Sequence, residues 1–355
     1  MKKIFFIFII ILAIGTGCFY PYKENIRYIL DYLYFVDVVE QNSFYLKNVP
    51  NSYTKKIYFN KLIDCNNMSD FYDILSEFSL NYEMDGHYGI VDNASYRSMQ
   101  RIYMDLVKDG IVNSSNWNYQ QLANQKVFDC YSKFEKNGEL LDENSKKNVK
   151  IDCNYNNDFF VMKFDTFDIS LLDSFVLIEN QLQNFTGDKI IIDISNNKGG
   201  SDLVWQKLVS ILSDDDYIYK TKIIGRGKLS KKYVDSYEIN TIGDTSSFFY
   251  MDNIKIKTKG LYNFDNIYLI VSNETFSAAD SFARFSESTG FASVIGRETS
   301  GFGTGLDPMI VKLPLTNLLF VLDAVGKNPI TTIPDYPVDD ISVENVMNCI
   351  LKNHY

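Results

Sequence analysis

Three features of this chain could together do nucleophilic chemistry: a serine at a strand-to-helix turn, a single interior histidine and a pair of glycines. Ser277 lies within LIVSNETFSAADSFARFSESTGFASVIGRETSGFGTG, residues 269–305. Its pattern predicts a buried strand over 267–272, a tight turn, and a helix opening at or just after Ser277. The helix should stop near Gly290, with a second short strand over 292–296. A serine at such a turn exposes its hydroxyl beside unsatisfied helical N–H groups and the positive end of the helix dipole, which favour negative charge there. The alternative is an ordinary N-cap serine.

A second strand–turn–helix unit, IIIDISNNKGGS, ends on Gly199 and Gly200. Two glycines at the turn allow positive φ and close approach of a ligand to the backbone, and their N–H groups are natural oxyanion donors. The alternative is a plain Gly-Gly loop. Adjacent parallel strands would bring both turns to the same sheet edge, where α/β sites form. A serine nucleophile also needs a base. The chain has 2 histidines. His354 is the penultimate residue, so a histidine base must be His87, in the turn-and-strand segment MDGHYGI. A lone histidine can equally be structural.

The elements that must position these residues are legible in outline. Residues 24–82 have helical apolar spacing, with breaks at 51–58 and 66–67. RIYMDLVKDG reads as a helix or strand closed by Gly110, and KNGELLDENSKKN as a polar loop. From about residue 157 strands alternate with helices: FFVMKFD a strand, 170–184 a helix, KIIIDIS a strand, and 201–212 a helix capped by Ser201 or Asp202. Near-continuous apolar strands imply a mainly parallel, buried sheet. Residues 213–260 read as a polar, partly β insertion, VKLPLTNLLFVLD as a closing hairpin, and 343–352 as a short terminal helix. The domain expectation is a signal at 1–18, a helical domain over 19–95 carrying His87, and a connecting region over 96–156 with no clear PDZ. A core over 157–345 and a tail over 346–355 complete it.

Composition bounds the partners. A net charge of −10 with no basic stripe argues against nucleic acid. Lys2 and Lys3 precede an apolar run over 4–14, and Gly15-Thr16-Gly17-Cys18 follows. This describes a secretory signal and resembles a bacterial lipoprotein cleavage site with Cys18 as the lipidated residue. The alternative is an uncleaved signal anchor; either places the remainder outside the cytoplasm. Cys65, Cys130, Cys153 and Cys349 fit no metal-binding spacing, and with two histidines and no HExxH motif no catalytic metal and no cofactor is expected.

IIIDISNNKGGS, TFSAADSFA and IGRETSGFGTG, in that order, resemble the carboxyl-terminal processing (tail-specific) family of serine peptidases over about residues 157–345. The resemblance implies a crotonase-like α/β core with Ser277 as nucleophile. It also implies an oxyanion hole from Ala278 N–H and the N–H of Gly199 or Gly200. Processing proteases place a lysine base where Phe302 stands here, and Ser195 replaces an arginine usual in the family. Asp85-Gly86-His87 resembles the lysine-lacking, tricorn-like branch, in which serine and histidine are completed by an acid. By that likeness Asp335, in the Pro334-Asp335 step, is the first candidate for the acid, Glu298 the second and Asp85 the third. The implied function is an exported, membrane-attached serine endopeptidase acting on peptide or protein substrates. The alternatives are a non-catalytic ligand-binding lipoprotein on the same fold, and an esterase or amidase.

Overall fold

A computed structural model describes residues 23–133, 151–155 and 158–353. The signal with Cys18, the KNGELLDENSKKN loop and His354 lie outside the described residues. The described chain divides into two compact units: residues 23–133, 225–247 and 308–324 in the first, and the remainder in the second. The sequence expectation ran one core from 157 to 345. In the structure, residues 225–247 and 308–324 group with the N-terminal helices.

The first unit is mainly helical, with helices Lys23–Asn42, Ser52–Ile63, Met68–Ser79, Asn93–Lys108, Trp117–Leu122, Gln125–Ser132 and Lys228–Asp235. Asparagine or aspartate starts five of them. Asn51, Asn67, Asp92, Asn116 and Asn124 each accept a hydrogen bond from a first-turn N–H, which satisfies donors the helix leaves open. The core is aromatic: Phe35 packs edge-on against Phe78 and against Phe320, with ring centroids 4.9 Å apart in the latter pair. Phe320 belongs to a three-stranded antiparallel sheet in the order Met309–Lys312, Leu319–Leu322, Tyr88–Ile90. The predicted hairpin is therefore real, but it pairs with the short strand after His87 instead of closing the core sheet.

The second unit is built on a six-stranded sheet. Its order is Tyr336–Pro337, Ser293–Gly296, Asn266–Val271, Lys189–Asp193, Phe159–Lys163, Asp152–Tyr155. All neighbours run parallel except the last pair. Both faces are covered, which explains the unbroken apolar strands. Ile190 and Ile192 point into a large core with helices Phe175–Leu182, Asp202–Leu212 and Ala278–Thr289. Ile191, between them, points into a smaller core with Val346 and Ile350 of helix Val343–Asn353. The predicted helix over 170–184 splits into a 3₁₀ turn, Ile169–Ser174, and the α-helix that follows. A second sheet sets Tyr217–Gly225 between Val325–Gly326 and Phe248–Ile256. None of the described helices is long and apolar enough to cross a membrane.

Candidate active site

Strands Lys189–Asp193 and Asn266–Val271 are parallel neighbours, with Ile270 opposite Asp193. Their extensions therefore reach the same edge of the sheet, one as the Gly199-Gly200 turn and the other as the Ser277 turn. Ser277 occupies the position before helix Ala278–Thr289 with φ 57° and ψ −124°. Residues with a side chain rarely adopt this conformation, which costs of order 1–3 kcal/mol and persists only where surroundings impose it. Here Ser277 N–H donates to Gly301 O (2.8 Å), Ser300 N–H to Thr275 O (2.9 Å) and Phe276 N–H to Asn197 O (3.1 Å). The hydroxyl makes no capping hydrogen bond, so the N-cap alternative does not describe this serine.

The glycine turn meets the serine closely. A Cβ on Gly199 would lie 2.8 Å from Ser277 Cβ and 3.1 Å from Ala278 N, and Gly199 has φ +101°. Only glycine fits there. The two glycines differ in what their N–H groups do. Gly199 N–H donates to Asn197 Oδ1 (2.8 Å), while Gly199 O accepts from Phe167 N–H (2.9 Å). In a trans peptide the C=O of one residue and the N–H of the next point oppositely. Gly200 N–H is thus directed away from Phe167, on the side where Gly199 meets Ser277 and Ala278. Ala278 N–H, the first of its helix, has no partner within the helix.

Below Ser277 the helix carries Asp280, fully buried, which accepts from Thr299 Oγ1 (2.6 Å), Thr332 Oγ1 (2.7 Å) and Gly303 N–H (3.2 Å). These bonds fix the 299–303 loop against the helix start. Phe302 has φ 67°, and its ring sits 5.5 Å from that of Phe276. Phe302, the position where the sequence resemblance implies a lysine in processing proteases, is a packed aromatic here. Sequence reasoning also passed over Lys327, 3% exposed in the same unit. Burial, reinforced by the Arg284 cation, lowers its pKa to about 8, against the pull of Asp280, Asp202 and Asp252. Among the described residues no group of three or more His, Cys, Asp or Glu is arranged to hold a metal ion, and Cys65, Cys130, Cys153 and Cys349 are free thiols.

In the first unit the register Leu322↔Tyr88 places the residue after one strand opposite the residue before the other. Those residues are Asp323 and His87. Asp323 Oδ2 accepts the His87 backbone N–H (2.8 Å), and its two oxygens lie 3.1 and 3.2 Å from His87 Nδ1. Asp323 O accepts in turn from Phe44 N–H (2.9 Å). A carboxylate only accepts, so Nδ1 carries the proton and Nε2 is left as the basic nitrogen.

Each sequence candidate for the acid has a hydrogen-bond or ion-pair partner within its own unit. Asp335 Oδ2 accepts from Val294 N–H (2.8 Å), so the Pro-Asp step fastens an edge strand of the second unit. Asp335 lines a cavity with Glu287 and Gly290, at the C-terminal end of the 12-residue helix that Ser277 opens, about 18 Å from its start. Glu298 accepts from Thr331 Oγ1 (2.5 Å), and Asp85 pairs with Lys47 (2.5 Å). Asp323 had one sequence signal, its place at the end of the VKLPLTNLLFVLD hairpin. No local pattern ties that hairpin to a strand more than 200 residues earlier.

Residues 163–321 match the model described as Peptidase family S41, a span that includes the Gly199-Gly200 turn and Ser277 but not His87 or Asp323. No curated relative matches the chain by sequence. Among solved structures, a lipoprotein from Streptococcus agalactiae aligns with a TM-score of 0.53 at 14% identity, covering 92% of this chain and 97% of that one. A candidate peptidase from Parabacteroides merdae aligns with a TM-score of 0.51 at 14% identity, covering 90% and 91%. At such identity these two likenesses speak to the fold, and the family match supports a serine-type peptidase domain.

Proposed function

We propose that the chain is an exported serine endopeptidase, attached to the membrane at its N-terminus, that cleaves peptide bonds through an acyl-enzyme on Ser277. The observation that carries the reading is the Ser277 backbone, held in a strained conformation with a hydroxyl not spent on capping, against the glycine turn. Strain of this kind at an uncapped helix start has a use if the hydroxyl must be presented to a substrate.

In this reading His87 Nε2 takes the Ser277 hydroxyl proton as Oγ bonds to the peptide carbonyl carbon. Gly200 and Ala278 N–H groups receive the oxyanion. His87 returns the proton to the leaving amine, and the C–N bond breaks. Water, deprotonated by His87, then releases the acyl group and restores Ser277. Asp323 orients the imidazole and stabilises its protonated form, a role for which the sequence resemblance put Asp335 first, ahead of Glu298 and Asp85. The reaction requires the His87 and Ser277 side chains to meet across one proton transfer.

Two assays test the activity. A fluorophosphonate probe should label the wild-type protein and not Ser277→Ala, and a casein or peptide-library digest should show cleavage that the variant lacks. Labelling without peptide cleavage would point to an esterase or amidase; absence of both would favour the ligand-binding alternative. For attachment, Cys18→Ala should release or misprocess the protein. An intact N-terminus with unmodified Cys18 by mass spectrometry would favour the signal anchor.

A further inference from the structure

We infer that Asn197 is a positioning residue of this reaction, one that selects which glycine N–H faces the oxyanion and sets its spacing from the Ala278 N–H. The inference rests on the peptidase reading of Ser277. Asn197 is fully buried, a costly place for an amide unless its groups are bonded. Both ends of its side chain are. Oδ1 accepts the Gly199 N–H (2.8 Å), and Nδ2 donates to Phe164 O (3.0 Å) at the end of strand Phe159–Lys163. Its backbone is engaged as well, N–H to Ile194 O (3.0 Å) and O from Phe276 N–H (3.1 Å). One residue therefore ties together the end of one strand, the glycine turn that follows the next, and the turn that presents Ser277.

The consequence is specific. Two successive glycines offer two N–H donors, and an oxyanion hole built on an unfixed Gly-Gly turn would have to choose between them. The Asn197 side chain consumes the Gly199 donor, and Phe167 N–H fixes the Gly199 carbonyl (2.9 Å), which sets the plane of the Gly199–Gly200 peptide. Gly200 N–H is what remains. Because Asn197 O also holds the Phe276 N–H, the Gly200 donor and the Ala278 donor two residues beyond Phe276 are referenced to one buried residue. Donors aligned before the reaction begins need no reorganisation as charge develops. Asn197 touches no reacting atom.

Asn197→Ala, assayed per titrated active site, should lower kcat and the rate of fluorophosphonate labelling together by about 10²–10³-fold, the usual cost of losing an oxyanion donor, with little change in KM. Asn197→Asp keeps an acceptor for Gly199 N–H and loses the donor to Phe164 O, so its per-site rate should exceed that of Asn197→Ala. A merely structural asparagine would lower the number of titratable sites and leave the per-site rate unchanged, which overturns the inference while the peptidase reading stands. If both variants fail to fold, the wild-type protein decides. On phosphonylation of Ser277 the amide resonances of Gly200 and Ala278 should move downfield and that of Gly199 should not; movement of Gly199 in place of Gly200 refutes the assignment. A wild-type protein inert to the probe removes the peptidase reading and the inference with it.

Discussion

Asp323 grips His87 at two points, its backbone N–H at 2.8 Å and its ring Nδ1 at 3.1 Å, from a side chain that is itself 5% exposed. The double contact follows from strand register, since Leu322 lies opposite Tyr88 and the next residues along face each other. If the proposed role holds, Asp323→Asn should retain the backbone contact and the fold but lower turnover by up to about 10⁴-fold, because the amide supports the wrong tautomer of the ring. Asp335→Asn and Glu298→Gln should leave turnover at the wild-type level. A larger loss from Asp335→Asn than from Asp323→Asn would return the acid to the position that the sequence resemblance implied.

The Ser277 backbone gives a prediction of opposite sign for activity and stability. Ser277→Ala keeps a Cβ at φ 57° and loses no capping hydrogen bond, so its stability should stay within about 1 kcal/mol of wild type. Ser277→Gly removes the steric conflict and should be more stable than Ser277→Ala by about 1 kcal/mol. Both variants should be inactive. Equal melting temperatures for the two would mean that the turn carries no such strain.

Gly199→Ala probes the approach of the two turns. The new Cβ would stand 2.8 Å from Ser277 Cβ and 3.0 Å from Phe276 O, at a φ of +101° that alanine avoids. Neither neighbour can retreat cheaply, because Ser277 N–H is bonded to Gly301 O and Phe276 N–H to Asn197 O. The variant should lose both turnover and several degrees of melting temperature. Wild-type activity would show that the turns are further apart in solution than in the structure.

These results also mark what the sequence could reveal. The glycine turn, the Ser277 turn and the parallel strands behind them were readable because each is local: apolar runs such as KIIIDIS and the helix stop at Gly290 declare themselves within a dozen residues. The hairpin Met309–Leu322 was readable as a hairpin, yet its place was not, because pairing with Tyr88–Ile90 is a long-range choice made by burial of Phe320 against Phe35. The proposed acid, Asp323, was hidden for the same reason. Asp335 sits in a familiar-looking Pro-Asp step and fastens Val294, whereas Asp323 is brought to His87 by register alone. Asn197 was hidden inside a motif read only for its glycines, and Lys327 has a sequence context that gives no hint of burial.

Lys327 supplies the pH test. Burial and the Arg284 cation hold its pKa at about 8, below the ordinary 10.5. Below pH 8 the lysine is charged in both folded and unfolded chains, and the folded state bears the cost of the buried charge. The gap corresponds to about 3 kcal/mol at roughly 1.4 kcal/mol per unit. Between pH 8 and 10.5 the folded lysine is neutral while the unfolded one still holds its proton. The unfolded state then binds more protons, so the contribution of this residue to stability rises with pH across that window and levels off above it. Lys327→Met cannot titrate. It carries no buried charge at any pH, so it serves as the reference free of the cost that wild type bears near neutral pH. The unfolding free energy of wild type relative to that variant, from urea melts at a series of pH values, should grow by about 3 kcal/mol from pH 7.5 to 10.5. A flat difference would show that the surrounding carboxylates keep the lysine protonated throughout, and a falling one that they hold its proton more tightly than water does.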